Sequence, residues 1–366
     1  MVLPVLMLSG DSYIGSSPAS LGLALGVYGL TQAVFQIPLG FLSDLWGRKQ
    51  VIVLGLLVFA AGSAIAAYSD SITGLIIGRA MQGSGAIASA VMALVADLTS
   101  DESRTKAMAT IGASIGVSFA IAIILGPLLV GVGGIDLIFW VTAALACVGI
   151  LVLLFVVPNP TQKTVAAQQR KVVPSMLLPL LKNPILLRLD FGIFCLHCVL
   201  MGVFVSIPYM ITHTIGLETA NHWWVYLGVL LGSFVVMIPL MIVSERHKKT
   251  SVIFPGCIAA MLISLAAIAV SGASAFLFLV ALFVFFVAFN YLEASLPAQI
   301  SKASPAETKG TALGVFSTSQ FLGAFVGGVV GGNLYQSYSS SAVFWAAVVL
   351  VGVWLVVSWF SRNKVA

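Results

Sequence analysis

Long apolar runs alternate with short polar connections along almost the whole chain. A helix that crosses a bilayer needs about 20 mostly apolar residues. Eleven runs approach that length and are bounded by polar residues. We therefore predict eleven complete spans, at 22–42, 50–68, 73–96, 107–130, 136–157, 189–211, 223–243, 251–270, 276–297, 311–332 and 342–360.

A shorter apolar segment precedes these spans. The eight residues Met1 to Leu8 would reach about 12 Å as a helix, far less than the roughly 30 Å hydrocarbon core. We interpret them as the end of a first span whose beginning is missing from the sequence. The alternative is an eleven-span protein with a short re-entrant start.

The composition points to a membrane protein made of helices. Of the 366 residues, 60% are hydrophobic and 8% are charged, whereas a soluble domain carries about 25% charged residues. In lipid the backbone must satisfy its own hydrogen bonds, and long apolar runs do so as helices. The four cysteines lie in apolar runs and do not form a disulfide framework. We predict an all-α protein with no metal site and no cofactor.

The basic residues predict how the spans are oriented. Of 17 Lys and Arg residues, all except Arg79 fall in alternate connections. Positive residues concentrate on the cytoplasmic side of membrane proteins. This distribution predicts a multi-pass membrane protein with a cytoplasmic C-terminus.

A polar, basic segment divides the chain into similar halves. We assign residues 1–158 to an N-terminal half, 159–185 to a cytoplasmic linker and 186–366 to a C-terminal half. Thr105-Lys106 and Thr308-Lys309 open spans 203 residues apart, which is a weak internal repeat. Paired halves with six spans each are typical of a large class of secondary transporters.

The connection after the first complete span has the sequence Gly40-Phe41-Leu42-Ser43-Asp44-Leu45-Trp46-Gly47-Arg48-Lys49. It fits the loop motif Gly-x-x-x-Asp-x-x-Gly-Arg-Lys of the major facilitator superfamily, and Gly78 to Gly83 fits the superfamily motif Arg-x-x-Gln-Gly. The chain thus resembles this superfamily over nearly its whole length. The segments 27–38, 81–88 and 287–290 are closest to the YajR-like transporters and the drug/proton antiporters.

Two features depart from these groups. The YajR-like proteins carry a soluble domain after the last span, and this sequence ends at Ala366. The antiporter-type helix keeps Gly126 and Pro127, but Ala122 and Val130 stand where glycines are expected. Membership of the superfamily is therefore a firmer expectation than antiport.

The resemblance implies a conformational latch in the charged loop. It pairs Arg48 with Asp97 and directs Asp44 towards the start of a later helix, near Lys309 to Thr311. A helix start attracts an acid because its N–H groups are unpaired. We expect Gly40 to permit close approach between the halves, and we place the latch at Gly40, Asp44, Gly47, Arg48, Lys49 and Asp97. The alternative is a simple turn that obeys the charge rule.

Three ionisable residues inside spans are candidates for proton coupling. They are Arg79, His197 and Glu293. A charge inside the membrane is costly, so Arg79 and Glu293 indicate function. Histidine titrates near neutral pH, so His197 could carry a proton. The alternatives are that Arg79 extends to the outer surface, that His197 is a buried neutral side chain, and that Glu293 is solvated one turn from the cytoplasm.

Polar and aromatic residues at helical spacing predict a wall that accepts mixed polar and apolar solutes. The alternative is that these side chains bond neighbouring helices. By contrast, Gly323, Gly327 and Gly331 predict close helix packing. The candidate cavity residues are Tyr28, Gln32, Phe35, Gln82, Asn290 and Gln320.

The sequence favours transport over catalysis. It contains neither a His-Glu-x-x-His motif nor a phosphate-binding Gly-Lys-Ser/Thr loop. We expect a monomeric, non-enzymatic transporter whose partners are a small solute, protons and lipid, without nucleic acid. The main hypothesis is proton-coupled efflux of an amphipathic solute by alternating access. The alternatives are a proton-independent facilitator, a proton symporter of a metabolite, and an inactive membrane scaffold.

Overall fold

The computed structural model describes residues 13–99, 101–159, 177–304 and 309–360, and they are almost entirely helical. The α-helices in chain order are α1 Pro18–Trp46, α2 Arg48–Tyr68, α3 Ile72–Ser84, α4 Ala88–Leu98, α5 Asp101–Phe155, α6 Leu177–Leu180, α7 Pro184–Phe204, α8 Ile207–Met210, α9 His222–Arg246, α10 Thr250–Ala269, α11 Ala275–Ala303, α12 Lys309–Ser337 and α13 Ser340–Phe360. The predicted all-α class is confirmed.

The predicted number of eleven complete spans is wrong for the described part of the chain. Ten helical segments there are long and apolar enough to cross a membrane. The difference lies in α5, where the sequence predicts separate spans at 107–130 and 136–157. In the structure the torsions at Gly133 and Gly134 are non-helical, so α5 consists of two helices joined at a kink. The single spanning stretch found in it, Ile124–Phe155, runs across that kink. The predicted partial span at Met1 to Leu8 lies outside the described residues.

Local sequence explains where several helices begin and end. Ser17 Oγ caps α1 by accepting from the Ser20 amide, and Ser20 Oγ in turn accepts from the Ser17 amide. Asn183 caps α7 ahead of Pro184 by accepting at Oδ1 from the Ile185 amide. Between α1 and α2, Gly47 has a φ of 104°, a value that favours glycine.

The segment before α1, around Ile14, is hydrogen-bonded to the turn between α2 and α3. The Ile14 amide donates to the Asp70 carbonyl, and the Ile72 amide donates to the Ile14 carbonyl. Tyr13, which precedes Ile14 in this segment, is buried. Burial, together with the nearby charge of Asp136, raises the pKa of Tyr13 to about 12. The phenol is therefore neutral at physiological pH.

Helix α12 packs closely against two neighbours because it carries two rows of glycine. Gly323, Gly327 and Gly331 lie against the backbone of α7, whereas Gly328 and Gly332 lie against α1. A Cβ atom at any of these positions would come within 3.0 Å of facing backbone atoms. The predicted close-packing face is confirmed for the first row. Helix α12 thus packs against one helix near the N-terminus and one from the middle of the sequence.

Candidate functional site

Arg48 organises the charged loop between α1 and α2. Its guanidinium pairs with Asp44 one turn earlier and with Asp97 near the end of α4, where Nε lies 3.1 Å from Oδ2. Nη1 also donates to Ser43 Oγ at 2.7 Å. The Arg48 and Asp97 side chains are 10% and 1% exposed, so water hardly screens their interaction. The pairing of Arg48 with Asp97 that the resemblance implied is present.

The other members of the predicted latch lie around this pair. Lys49 Nζ donates to the Val157 carbonyl. The atoms nearest a Cβ at Gly40 belong to Ser89 of α4, and the expected approach of Gly40 to the other half stays a prediction. Gly40 therefore permits close packing within the N-terminal part of the chain. The predicted partner of Asp44 at Lys309 lies outside the residues whose side chains are described.

Replacing Asp44 with asparagine should shift the balance between conformers without unfolding the protein. Asp44 is 21% exposed in its pair with Arg48, and such partly exposed pairs contribute about 0.2–1 kcal/mol. We expect a population shift of about two- to fivefold, measured by the labelling rates of single cysteines at either membrane face. Unchanged labelling and unchanged transport would remove the latch role from Asp44.

A hydrogen-bonded chain fixes Arg79 in the N-terminal part of the protein. Arg79 Nη1 donates to Gln82 Oε1 at 2.7 Å, and Gln82 Nε2 donates to Ser63 Oγ at 2.7 Å. Thr142 Oγ1 reaches the same Ser63 oxygen at 3.4 Å. The chain connects α3, α2 and α5, so the guanidinium is held by three helices. Ser63 was not predicted, because a serine within an apolar run gives no signal of its partner.

The Arg79 side chain also contacts α1. Its guanidinium lies 4.6 Å from the centre of the Tyr28 ring, a cation–π distance. Nε lies 3.4 Å from the Ala24 carbonyl oxygen. Since Gln82 is farther than Arg79 from the start of α3, the side chain is bonded towards the membrane interior. This geometry disfavours the alternative in which Arg79 extends to the outer surface.

Three helices bring together His197, Gln320 and Glu293. Gln320 Nε2 of α12 lies 2.8 Å from His197 Nε2 of α7 and donates to Glu293 Oε1 of α11 at 3.2 Å. An amide nitrogen only donates, so with this amide orientation His197 Nε2 accepts and the ring proton of the neutral imidazole is on Nδ1. His197 Nδ1 faces Glu293 Oε2 at 3.8 Å.

The His197–Glu293 pair is only partly satisfied. Neither His197 Nδ1 nor Glu293 Oε2 makes a hydrogen bond within the described residues. Their side chains are 13% and 37% exposed, respectively. A buried polar atom without a partner is costly, so these two atoms are placed to bind water or a polar group of a solute.

Glu293 lies deeper than the solvated alternative requires. That alternative placed it one turn from the end of a span at 276–297, but α11 continues to Ala303. Ten residues of helix, about 15 Å, separate Glu293 from that end. Pro297 is accommodated inside the helix and does not terminate it.

The Arg79 and Glu293 clusters meet at one level of the protein. A Cβ at Gly29 of α1 would lie 2.6 Å from the Phe321 carbonyl oxygen of α12. Gly29 follows Tyr28, which contacts Arg79, and Phe321 follows Gln320, which contacts Glu293. The two clusters therefore lie near the same level of the α1–α12 contact, the Arg79 cluster beside α1 and the Glu293 cluster beside α12.

The remaining cavity candidates fall into two groups. Tyr28 and Gln320 are half-buried and belong to the two clusters, and Phe35 is 40% exposed. Gln32 is buried, and Asn290 is buried with its amide donating to Ser233 Oγ at 2.9 Å. This bond joins α11 to α9. It agrees with the alternative in which the polar side chains bond neighbouring helices and do not line a cavity.

Two features of the helices were not predicted. Helix α3 ends at Ser84 and α4 begins at Ala88, so the predicted span at 73–96 is interrupted. Asp190 of α7 is buried, and its Oδ1 makes no hydrogen bond within the described residues. An acid inside an apolar run is the signal that would have identified Asp190.

The antiporter-type positions Gly126 and Pro127 are both buried in α5, with Pro127 inside the helix. Their packing partners are not among the contacts that the structure defines. Across the described ranges, no group of three His, Cys, Asp or Glu side chains is arranged to hold a metal ion.

Comparisons with known proteins agree with this fold. The model of the Major Facilitator Superfamily matches residues 1–328 and 189–366. The inner membrane transport protein YajR of Escherichia coli K12 is 48% identical over 98% of this chain and 78% of its own length. The class B tetracycline resistance protein of Escherichia coli is 30% identical over 42% of this chain and 39% of its own length.

A solved structure extends the agreement in fold. The inward-facing, occupied form of a bacterial homologue of the human lysosomal transporter Spinster has a TM-score of 0.77. It is 14% identical, with coverage of 99% of this chain and 92% of that one. The predicted resemblance is therefore confirmed: this chain belongs to the major facilitator superfamily and is a membrane transporter.

Proposed function

We propose that the protein exchanges an amphipathic solute for protons, with solute and proton competing at the His197–Gln320–Glu293 cluster. The observation that carries this proposal is the incompletely bonded acid–imidazole pair, with Glu293 about 15 Å inside α11. Histidine and carboxyl groups exchange protons within the physiological range when their surroundings favour it.

Competition follows from electrostatics. When the pair has lost a proton, Glu293 attracts a cationic part of a solute in a medium of low dielectric constant. When the pair takes up a proton, that attraction weakens and the solute leaves. A ligand can shift a conformational equilibrium only by its differential affinity for the two states. The proton and the solute would each supply such a difference.

Alternating access requires that α1 and α12 separate on one side of the membrane. In this structure they are in contact from the start of α1, where the Ala19 amide donates to Gln336 Oε1 at 3.0 Å. The contact continues through Gly22 and Gly26 to Gly29, near the two clusters. We infer that this seam closes one entrance while the loop around Arg48 controls the other.

The topology completes the proposal. We place the basic connections and the C-terminus in the cytoplasm and the protein, as a monomer, in a bacterial inner membrane, where YajR also resides by its name. Residues 1–158 and 186–366 act as the two moving halves, joined by 159–185. The class B tetracycline resistance protein is, by its name, linked to drug resistance, which favours outward export of a drug-like solute.

A transport assay tests the proposal against its main alternatives. Purified protein in liposomes should accumulate a fluorescent amphipathic dye, such as rhodamine B, against an imposed proton gradient. Collapsing the gradient with a protonophore should abolish accumulation and leave downhill flux. Equilibration without accumulation, at a rate that the protonophore does not change, would indicate a facilitator, and accumulation along the proton gradient would indicate a symporter.

A further inference from the structure

Arg79 is a cation within the membrane that lacks an acidic partner in the described part of the chain. No described carboxylate oxygen lies within 4.0 Å of its guanidinium, whereas Arg48 in the cytoplasmic loop pairs with two. Ionised groups inside proteins are normally paired because desolvation is costly. The half-buried position of Arg79 therefore suits an anion that arrives from outside the protein.

The hydrogen bonds that Arg79 makes leave part of its guanidinium free to bind a solute. Nε faces the Ala24 carbonyl, and Nη1 donates to Gln82. Nη2 has no hydrogen-bond partner among the described residues. A guanidinium edge is suited to carboxylate and phosphate groups, which it binds with two parallel hydrogen bonds. The bonds through Gln82 and Ser63 orient this edge before any solute arrives.

The opposite charge lies across the α1–α12 crossing. Glu293 Oε2 makes no hydrogen bond within the described chain, and the titratable group that faces Glu293 is His197. The other contact to Glu293 is the uncharged amide of Gln320. Near one level of the α1–α12 contact, the protein thus offers a base without a described acidic partner beside α1 and a partly satisfied acid beside α12.

We infer that the exchanged solute is zwitterionic: its acidic group binds Arg79, and its basic group competes with the proton at Glu293 and His197. The inference rests on the proposed function and adds the chemical class of the solute. The site then favours a flat, apolar molecule with a carboxylate or phosphate at one end and an amine or related cation at the other. The Tyr28 ring beside Arg79 supplies an apolar surface for its body.

The zwitterion reconciles an anion-binding residue with antiport. A purely anionic solute would be repelled by ionised Glu293 and would bind better after proton uptake, which gives symport. A purely cationic solute would leave Arg79 without a counter-charge and would be repelled by it. Only a solute with both charges binds the deprotonated site favourably at both ends and is displaced by a proton.

Three dyes with one scaffold test this assignment. Rhodamine B carries a carboxylate and a delocalised cation, its ethyl ester lacks the acid, and fluorescein lacks the cation. Their affinities for the purified protein are measured by fluorescence anisotropy without a proton gradient. We expect rhodamine B to bind about tenfold or more tightly than either analogue, since loss of the acid removes a charged hydrogen bond to Arg79 and loss of the cation removes an ion pair with Glu293.

Variants at the two ends show where each charge binds. Arg79→Gln should remove the preference for rhodamine B over its ester, whereas Arg79→Lys should keep part of it. Glu293→Gln should remove the preference over fluorescein. Lys302→Gln, which removes an exposed charge at the end of α11, is the matched control and should change neither ratio.

The outcomes separate this inference from the proposed function. Equal binding of rhodamine B and its ester by the natural protein would overturn the inference, as would an unchanged ratio in a correctly folded Arg79→Gln variant. If that variant fails to fold, the comparison of dyes on the natural protein decides. Retained dye preference without proton-driven accumulation would contradict the proposed function and leave the acid-binding role of Arg79 standing.

Discussion

Replacing Glu293 with glutamine should abolish proton-driven accumulation of the solute. A gradient of one pH unit supplies about 1.4 kcal/mol per proton, enough for about tenfold accumulation by one-to-one exchange. Glutamine can still accept from Gln320, so the local packing should persist, but it cannot ionise. Accumulation in liposomes should fall from about tenfold to about unity, whereas downhill flux remains.

A second acid provides the control for this experiment. Glu245 is exposed in the last turn of α9 and makes no contact with the cluster. Glu245→Gln should accumulate the dye as the natural protein does. Full accumulation by a stably expressed Glu293→Gln variant would exclude Glu293 from proton coupling. The variant His197→Gln would then test the other member of the pair.

Replacing Gly327 with alanine should destabilise the protein and slow transport. The atoms nearest an added Cβ are the backbone atoms of Cys198 on α7, and the Cys198 carbonyl oxygen would be in steric overlap with it. Overpacking of this kind typically costs about 1–3 kcal/mol. We expect a lower melting temperature by several degrees and a lower rate of exchange, because α12 also carries Gln320.

The same helix provides a matched control. Gly314 of α12 has no heavy atom within 4 Å of an added Cβ. Gly314→Ala should therefore leave the melting temperature unchanged or raise it slightly, since alanine favours the helix. If the two variants melt alike, the α7–α12 contact is not as close as the structure describes.

Composition and spacing alone predict the helical membrane architecture and the close packing of α12. Only 8% of the residues are charged, so the chain must lie in a membrane. Glycine at every fourth position favours close approach between helices. The number of spans could not be fixed in the same way. Hydropathy does not show whether Gly133 and Gly134 separate two crossings or bend one long segment.

The candidate site was predicted residue by residue but not as an assembly. His197, Glu293 and Gln320 are each conspicuous as polar residues in apolar runs. His197 and Gln320 are 123 positions apart in the sequence. Only the packing of α7, α11 and α12 brings the three residues together. Asn290 has the same sequence character, yet it is turned towards Ser233 of α9.

Sequence reasoning also did not identify the residue that packs against Gly40. A glycine in a charged connection can contact any neighbouring helix, and the expected contact was with the other half. The structure sets it against Ser89 because α1 and α4 pack side by side at this end. Pairing partners between helices depend on tertiary packing, which a single sequence does not encode in its local pattern.

The most direct test of competition at the His197–Gln320–Glu293 cluster is proton release on solute binding. Rhodamine B is added to the purified protein in a weakly buffered solution near neutral pH, and a soluble pH indicator reports the protons. We predict stoichiometric proton release by the natural protein and none by Glu293→Gln. Proton uptake, or binding with no change in pH, would contradict the account.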